Sequence, residues 1–108
     1  MSYKILSIPV FDKQAKRLAK KYPSLKSDLA KLFVSLANVP KQGKALGSDF
    51  YKIRLSITSK GKGKSGGARI ITYVKITETT VYLASIYDKA EKSTITDKEL
   101  EQIFNMIP

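Results

Sequence analysis

Positions 60 to 69 read Lys60, Gly61, Lys62, Gly63, Lys64, Ser65, Gly66, Gly67, Ala68, Arg69, a cationic glycine-rich run that leads directly into an apolar segment. Such a run suits phosphate. Glycine lets the backbone reach φ > 0 and approach a ligand closely, while the lysines and Arg69 supply positive charge. From position 50 to 77 there are seven Lys/Arg (Lys52, Arg54, Lys60, Lys62, Lys64, Arg69, Lys75) and no Asp or Glu. No acidic neighbour in sequence compensates them.

Three kinds of phosphate chemistry compete for this run. Gly63-Lys64-Ser65 matches the end of a P-loop, but the first glycine of that motif falls on Thr58, and Gly66-Gly67 with a strand replaces the helix that the motif requires. Nucleotide hydrolysis is therefore disfavoured. Metal-assisted chemistry is poorly supplied: the chain has no cysteine and no histidine, and Asp88 with Glu91 makes only a weak carboxylate pair. No metal or other cofactor is expected. The third chemistry is recognition of a nucleic-acid backbone, with or without cleavage. RNA cleavage needs no metal, because the 2′-OH can attack the adjacent phosphorus. A base must take its proton, an acid must protonate the leaving 5′-oxygen, and cations must hold the charge that develops. Crowded lysines can serve as base or acid because like charges lower their pKa. Arginine stays protonated, so Arg54 and Arg69 fit charge stabilisation. The residues alone leave a binding surface and a catalytic surface both open.

A net charge of +11 and a pI near 9.9 point to a polyanionic partner, with nucleic acid first. The length of 108 residues suits one domain, 1–108, and 43% hydrophobic content suffices for one modest core. No stretch approaches the roughly 18 apolar residues of a membrane span, and the start lacks a signal-peptide layout. The expected location is the cytoplasm, without a membrane partner.

The elements that position the cations follow from periodicity. Residues 1–10 read as a short strand ended or edged by Pro9. Phe11, Ala15, Leu18 and Tyr22 recur at helical spacing, predicting a helix over about 12–21, and Pro23 stops it. Ser24 is placed to cap a second helix with the stripe Leu25, Leu29, Leu32, Phe33, Leu36, ending near positions 38–40. The basic faces of this hairpin read first as solvated and only second as nucleic-acid contacts. Positions 41–49 have turn composition without periodicity and read as a crossover. From Phe50 the period is two: Tyr51, Ile53, Leu55 and Ile57 alternate with Phe50, Lys52, Arg54 and Ser56. A second strand over about 68–76 sets Arg69, Ile71, Tyr73 and Lys75 on one side, and a third runs over about 80–87. Antiparallel pairing is the simplest topology for these three, with helices over the apolar face. Thr96 and Glu99 form a capping box for a short amphipathic C-terminal helix. The fold class is α+β, a small antiparallel sheet with the N-terminal helical hairpin packed on one face and a short helix at the end.

Three segments carry a resemblance: positions 50–55 (Phe-Tyr-Lys-Ile-Arg-Leu), 60–73, and 82–91 with its Tyr87-Asp88-Lys89-Ala90-Glu91 end. Together they resemble the RelE/ParE toxin superfamily of type II toxin–antitoxin pairs, and within it the HigB-like RelE branch. The resemblance implies a RelE-like fold and a toxin that cleaves mRNA in the ribosomal A site, a metal-independent endoribonuclease that inhibits translation. It implies a cognate antitoxin, the ribosome and mRNA as partners. Residue by residue it assigns catalysis to Lys52, Arg54, Lys64, Arg69 and Lys89, with Arg69 at the position of a transition-state arginine. Lys60, Lys62, Tyr73 and Tyr87 are the expected RNA-binding residues. One departure matters: the aromatic that some relatives carry beyond the basic residue at 89 falls among Ser93-Thr94-Ile95 and is absent. Tyr87 or Tyr73 would have to replace it, so the base and the acid stay unassigned. ParE-like inhibition of DNA gyrase is the alternative, less favoured because that branch lacks the dense basic set.

Overall fold

The computed structural model describes residues 2–61 and 63–108; Lys62 therefore lies outside the described residues. Five strands form one sheet: β1 (Lys4–Ser7), β2 (Lys44–Gly47), β3 (Phe50–Leu55), β4 (Ala68–Lys75) and β5 (Thr80–Asp88), in the order β1-β5-β4-β3-β2. The strands β3, β4 and β5 form the expected antiparallel meander, and β2 extends it on one side. β1 closes the other edge by pairing parallel with β5. Three helices, α1 (Pro9–Lys21), α2 (Leu25–Asn38) and α3 (Asp97–Phe104), complete the α+β fold.

The helices follow their apolar stripes. Phe11 and Leu18 of α1, and Leu25, Leu29, Leu32 and Leu36 of α2, join Ile53, Ile70 and Ile86 of the sheet in one core. Leu18, Leu25 and Leu36 are fully buried, each burial contributing about 1.5–3 kcal/mol before the cost of ordering the chain. β1 runs alongside β5 only as far as Leu83. Beyond it α1 covers the free edge, where the Gln14 side-chain oxygen accepts from the Ile86 amide at 2.9 Å. Packing of α3 on the opposite face is lighter. Phe104 stacks edge-on against Phe50 and Tyr73 at 6.4 and 5.7 Å while remaining half exposed.

Four expectations change. Pro9 does not end a strand; it opens α1, where its missing N–H costs nothing, so the helix starts three residues before the predicted 12. Ser24 precedes α2 but makes no capping bond, because its hydroxyl donates to Asp28 at 2.8 Å and also meets Ser59. The crossover at 41–49 contains β2. The first strand is only Lys4–Ser7. The capping box at α3 forms as predicted, with the Glu99 amide donating to Thr96 Oγ1 and the Thr96 amide to Glu99.

Candidate nucleic-acid interface

Residues directly opposite in an antiparallel ladder share a face. Lys52 lies between Lys44 of β2 and Ile71 of β4, and Arg54 lies opposite Arg69, which lies opposite Tyr87. Two arginines face each other across β3 and β4, an arrangement that costs stability unless an anion joins them. An open groove of about 1150 Å³ runs over this face and is lined by Lys44, Lys52, Arg54, Lys64, Arg69 and Lys89. It continues around the β3 edge to Asp28, Lys31 and Leu32 of α2.

The cationic loop is held in place by its own chain. Arg69 is 4% exposed, and its guanidinium donates to the carbonyls of Lys64 (2.9 Å), Ala68 (3.1 Å) and Ser65 (3.3 Å). Gly67 lets the loop close on β3, since a Cβ there would lie 2.0 Å from the Leu55 carbonyl oxygen. The Lys89 amide donates to the Gly67 carbonyl at 3.1 Å, and the Lys89 ammonium donates to the Ser93 carbonyl at 2.7 Å. At its start the loop is tied to α2: the amide and hydroxyl of Thr58 donate to Asp28 at 3.0 and 2.7 Å, and the Ser59 amide donates to Ser24 at 2.8 Å. Lys64 is left exposed on the rim.

Electrostatics divide the lysines. Burial of Lys52 lowers its pKa from the usual 10.5, and the charges of Lys44, Arg69, Lys89 and Arg54 push it the same way. Lys60 behaves oppositely. Its hydrogen bond to Asp88 raises its pKa, outweighing the cost of burial. Burial favours a neutral Asp88, but the Lys60 ammonium (2.7 Å), the Tyr22 hydroxyl (2.6 Å) and the Ala90 amide (3.0 Å) all donate to it, and its pKa falls to about 2. Asp28 is also held ionised; the donors Thr58 and Ser24 outweigh its burial.

Lys52, Arg54, Lys64, Arg69 and Lys89, expected from the sequence, thus come together in one groove. Lys60 does not join them, because it pairs with Asp88, and its ammonium also lies over the Tyr22 ring. The expectation that nothing acidic compensates the loop fails at this residue. Tyr73 is drawn away from Arg69 into the trio with Phe50 and Phe104. Tyr87 stands opposite Arg69 but is only 6% exposed, with Lys92 over its ring and its buried hydroxyl without a hydrogen-bond partner among the described residues. Burial raises its pKa. Lys62 lies outside the described residues. Lys31 and Lys44 were not foreseen: Lys31 sits in the basic helix face read as solvated, and Lys44 in a strand too short to show a period.

Among the described residues no group of three or more Asp, Glu, His or Cys is placed to hold a metal ion, and no helix is long and apolar enough to cross a membrane. The fold resembles solved toxins. The isolated E. coli RelE toxin aligns at a TM-score of 0.63 with 19% identity, covering 98% of this chain and 100% of that one. The intact E. coli RelBE toxin–antitoxin complex aligns at 0.62 with 21% identity, covering 81% and 96%. A metal-bound toxin from Helicobacter pylori aligns at 0.53 with 23% identity, covering 84% and 98%. In sequence, the family model described as "RelE toxin of RelE / RelB toxin-antitoxin system" matches residues 9–107. With nearly the whole length matched and the same fold beneath it, the chain belongs to the RelE toxin family.

Proposed function

We propose that this protein is a ribosome-dependent, metal-independent endoribonuclease toxin that cleaves mRNA through 2′-OH attack and is neutralised by a cognate antitoxin. The observation that carries the reading is the half-buried Lys52, which has four cations around it and a lowered pKa. Burial and like charges favour the neutral amine of such a lysine over that of a solvated one, and the neutral amine is the form that accepts a proton. In this reading Lys52 takes the 2′-OH proton. The exposed Arg54 stabilises the pentavalent phosphorus, while the buried Arg69 fixes the loop carbonyls and adds its charge from beneath the groove. Lys64 holds the backbone at the rim, and Lys89 meets the leaving oxygen. Tyr87 supports Arg69 from the neighbouring strand. A surface so short of carboxylates suits RNA better than the protein target of a gyrase inhibitor, and a ribosomal substrate places the protein in the cytoplasm.

The test is a translating extract programmed with a defined mRNA. Wild-type protein should cut within the ribosomal A site, and Arg54→Ala should not, although it keeps its fold. Intact mRNA with wild-type protein, alongside inhibited DNA supercoiling, would replace this reading with the gyrase one. The antitoxin is expected to bind with loss of cleavage, and a partner that binds without affecting cleavage would remove that part.

A further inference from the structure

We propose that the groove carries a second phosphate-binding arm, in which Lys31 and Lys44 hold the RNA strand on one side of the reacting phosphate as it turns around the edge of β3. This rests on the endoribonuclease reading and specifies how that site holds its substrate.

The sheet is cut short where the arm begins. β2 pairs with β3 through Lys44 and Lys52, Ala45 and Tyr51, and Gly47 and Phe50, so among the described residues Ile53, Arg54 and Leu55 have no ladder partner on that side. With no strand to wall it off, the groove passes over this edge and reaches Lys31 and Leu32 of α2. Gly43 makes the turn that sets Lys44 there. It has φ +87°, and a Cβ would lie 2.2 Å from the Lys52 carbonyl oxygen, so only glycine lets the chain press so closely on β3. Lys44 is thereby placed next to Lys52, across a strand spacing of about 4.8 Å, and Lys52 is about 6.8 Å along β3 from Arg54. Cations recur in steps along a path that bends around the edge.

The charge of the arm is open to an anion. Among the described residues neither Lys31 nor Lys44 forms a salt bridge, and both are exposed. Asp28 is the carboxylate that lines the groove, and it lies close enough to Lys31 to feel its charge. It is nevertheless 6% exposed, and its oxygens accept from the Thr58 amide, the Thr58 hydroxyl and the Ser24 hydroxyl. Asp28 is committed to holding the loop, which leaves the lysines facing solvent. Closely spaced cations without mobile counter-charges of their own match a phosphodiester chain. An acidic protein segment is the competing occupant.

The distinguishing property of an arm is dependence on RNA length. Fluorescent 2′-O-methyl RNA oligomers of increasing length, which lack the attacking 2′-OH, should bind the wild-type protein more tightly as they grow. The Lys31→Ala/Lys44→Ala double variant should lose some affinity for the shortest oligomer, because Lys44 borders Lys52, and lose proportionally more as nucleotides are added. Its slope of log affinity against log salt on the long oligomer should be shallower by about 1.4, two phosphate contacts at about 0.7 each. Restoring both positions as arginine should restore the slope. An equal proportional loss at every length, or no loss, overturns the arm. So does unchanged RNA binding with weakened antitoxin binding, which assigns the lysines to an acidic segment. The two readings fail separately: wild-type protein that neither binds nor cleaves RNA removes the endoribonuclease and the arm together. Wild-type cleavage with a double variant that binds all lengths normally removes only the arm.

Discussion

Lys52 and Lys60 are partly buried lysines eight positions apart, and their surroundings are opposite in sign. Around Lys60 the chain gathers Asp88, with Tyr22 and the Ala90 amide completing the carboxylate's bonds. Around Lys52 it gathers Lys44, Arg54, Arg69 and Lys89. The first arrangement stabilises the fold by joining the loop, β5 and the α1–α2 corner. The second works against the fold, since it crowds like charges on half-buried strands. Stability alone does not account for such crowding, whereas binding a polyanion does. Positive charge of one composition is thus divided between scaffold and site by where the few buried carboxylates lie.

The strongest way to break the contrast is Lys52→Arg, which keeps the charge and removes the transferable proton. Cleavage in a translating extract should fall by about 10²- to 10⁴-fold, with RNA binding retained. Wild-type cleavage should rise with pH on approach to the lowered Lys52 pKa, below 10.5, and this limb should be missing from the residual activity of Lys52→Arg. Equal rates for the two proteins would leave Lys52 as a point charge only.

Next in size is Asp88→Ala, which leaves Lys60 buried and unpaired. Urea denaturation should show a loss of about 3–5 kcal/mol. Adding Lys60→Met should recover part of it, and full additivity of the two changes would mean that the pair is not coupled.

A smaller effect is expected from acid. Asp88 has its pKa lowered from 3.8 to about 2, so its contribution is present above about pH 4 and is lost as pH falls towards 2. Wild-type stability should drop by about 2 kcal/mol across that window. The Asp88→Ala/Lys60→Met protein should lack this component, and an identical acid profile for both would assign the drop to other carboxylates.

The smallest change lies outside both regions. Thr96→Ala removes the α3 cap and should cost about 1 kcal/mol in thermal or urea denaturation, with cleavage unchanged once the protein is folded. A large loss of cleavage would tie α3 to the site more closely than its light packing implies.

The cationic strand face was legible in the sequence because a period of two assigns residues to faces without tertiary information. Lys52 and Arg54 had to share a side, as did Arg69 and Tyr73. Distance along the strand was not legible in the same way. Four residue steps along β4 put Tyr73 about 13 Å from Arg69, and Phe104 claims the tyrosine there. Lys60 was misread because its partner lies 28 positions away, beyond any local count of charge. β2 was missed for a related reason: four residues without alternation become a strand only through pairing with β3 and the close approach at Gly43. Ser24 had the right position for a cap, but Asp28 and Ser59 compete for its hydroxyl, and both contacts are tertiary consequences of where the loop lands.

The parallel pairing of β1 with β5 bears on timing. Residues 4–7 cannot find their partners until residues 80–83 exist, and Arg69, already beside Arg54 of β3, lacks its second neighbour strand until Tyr87 has been made. Long-range closure of this kind is slow and comes late. A chain halted after Lys75 should therefore be digested by protease as readily as an unfolded one, and protection at that length would contradict this order of events. The cationic groove then assembles only once residues 80–89 have been made, so a ribosome making this protein works beside an unformed site until that point.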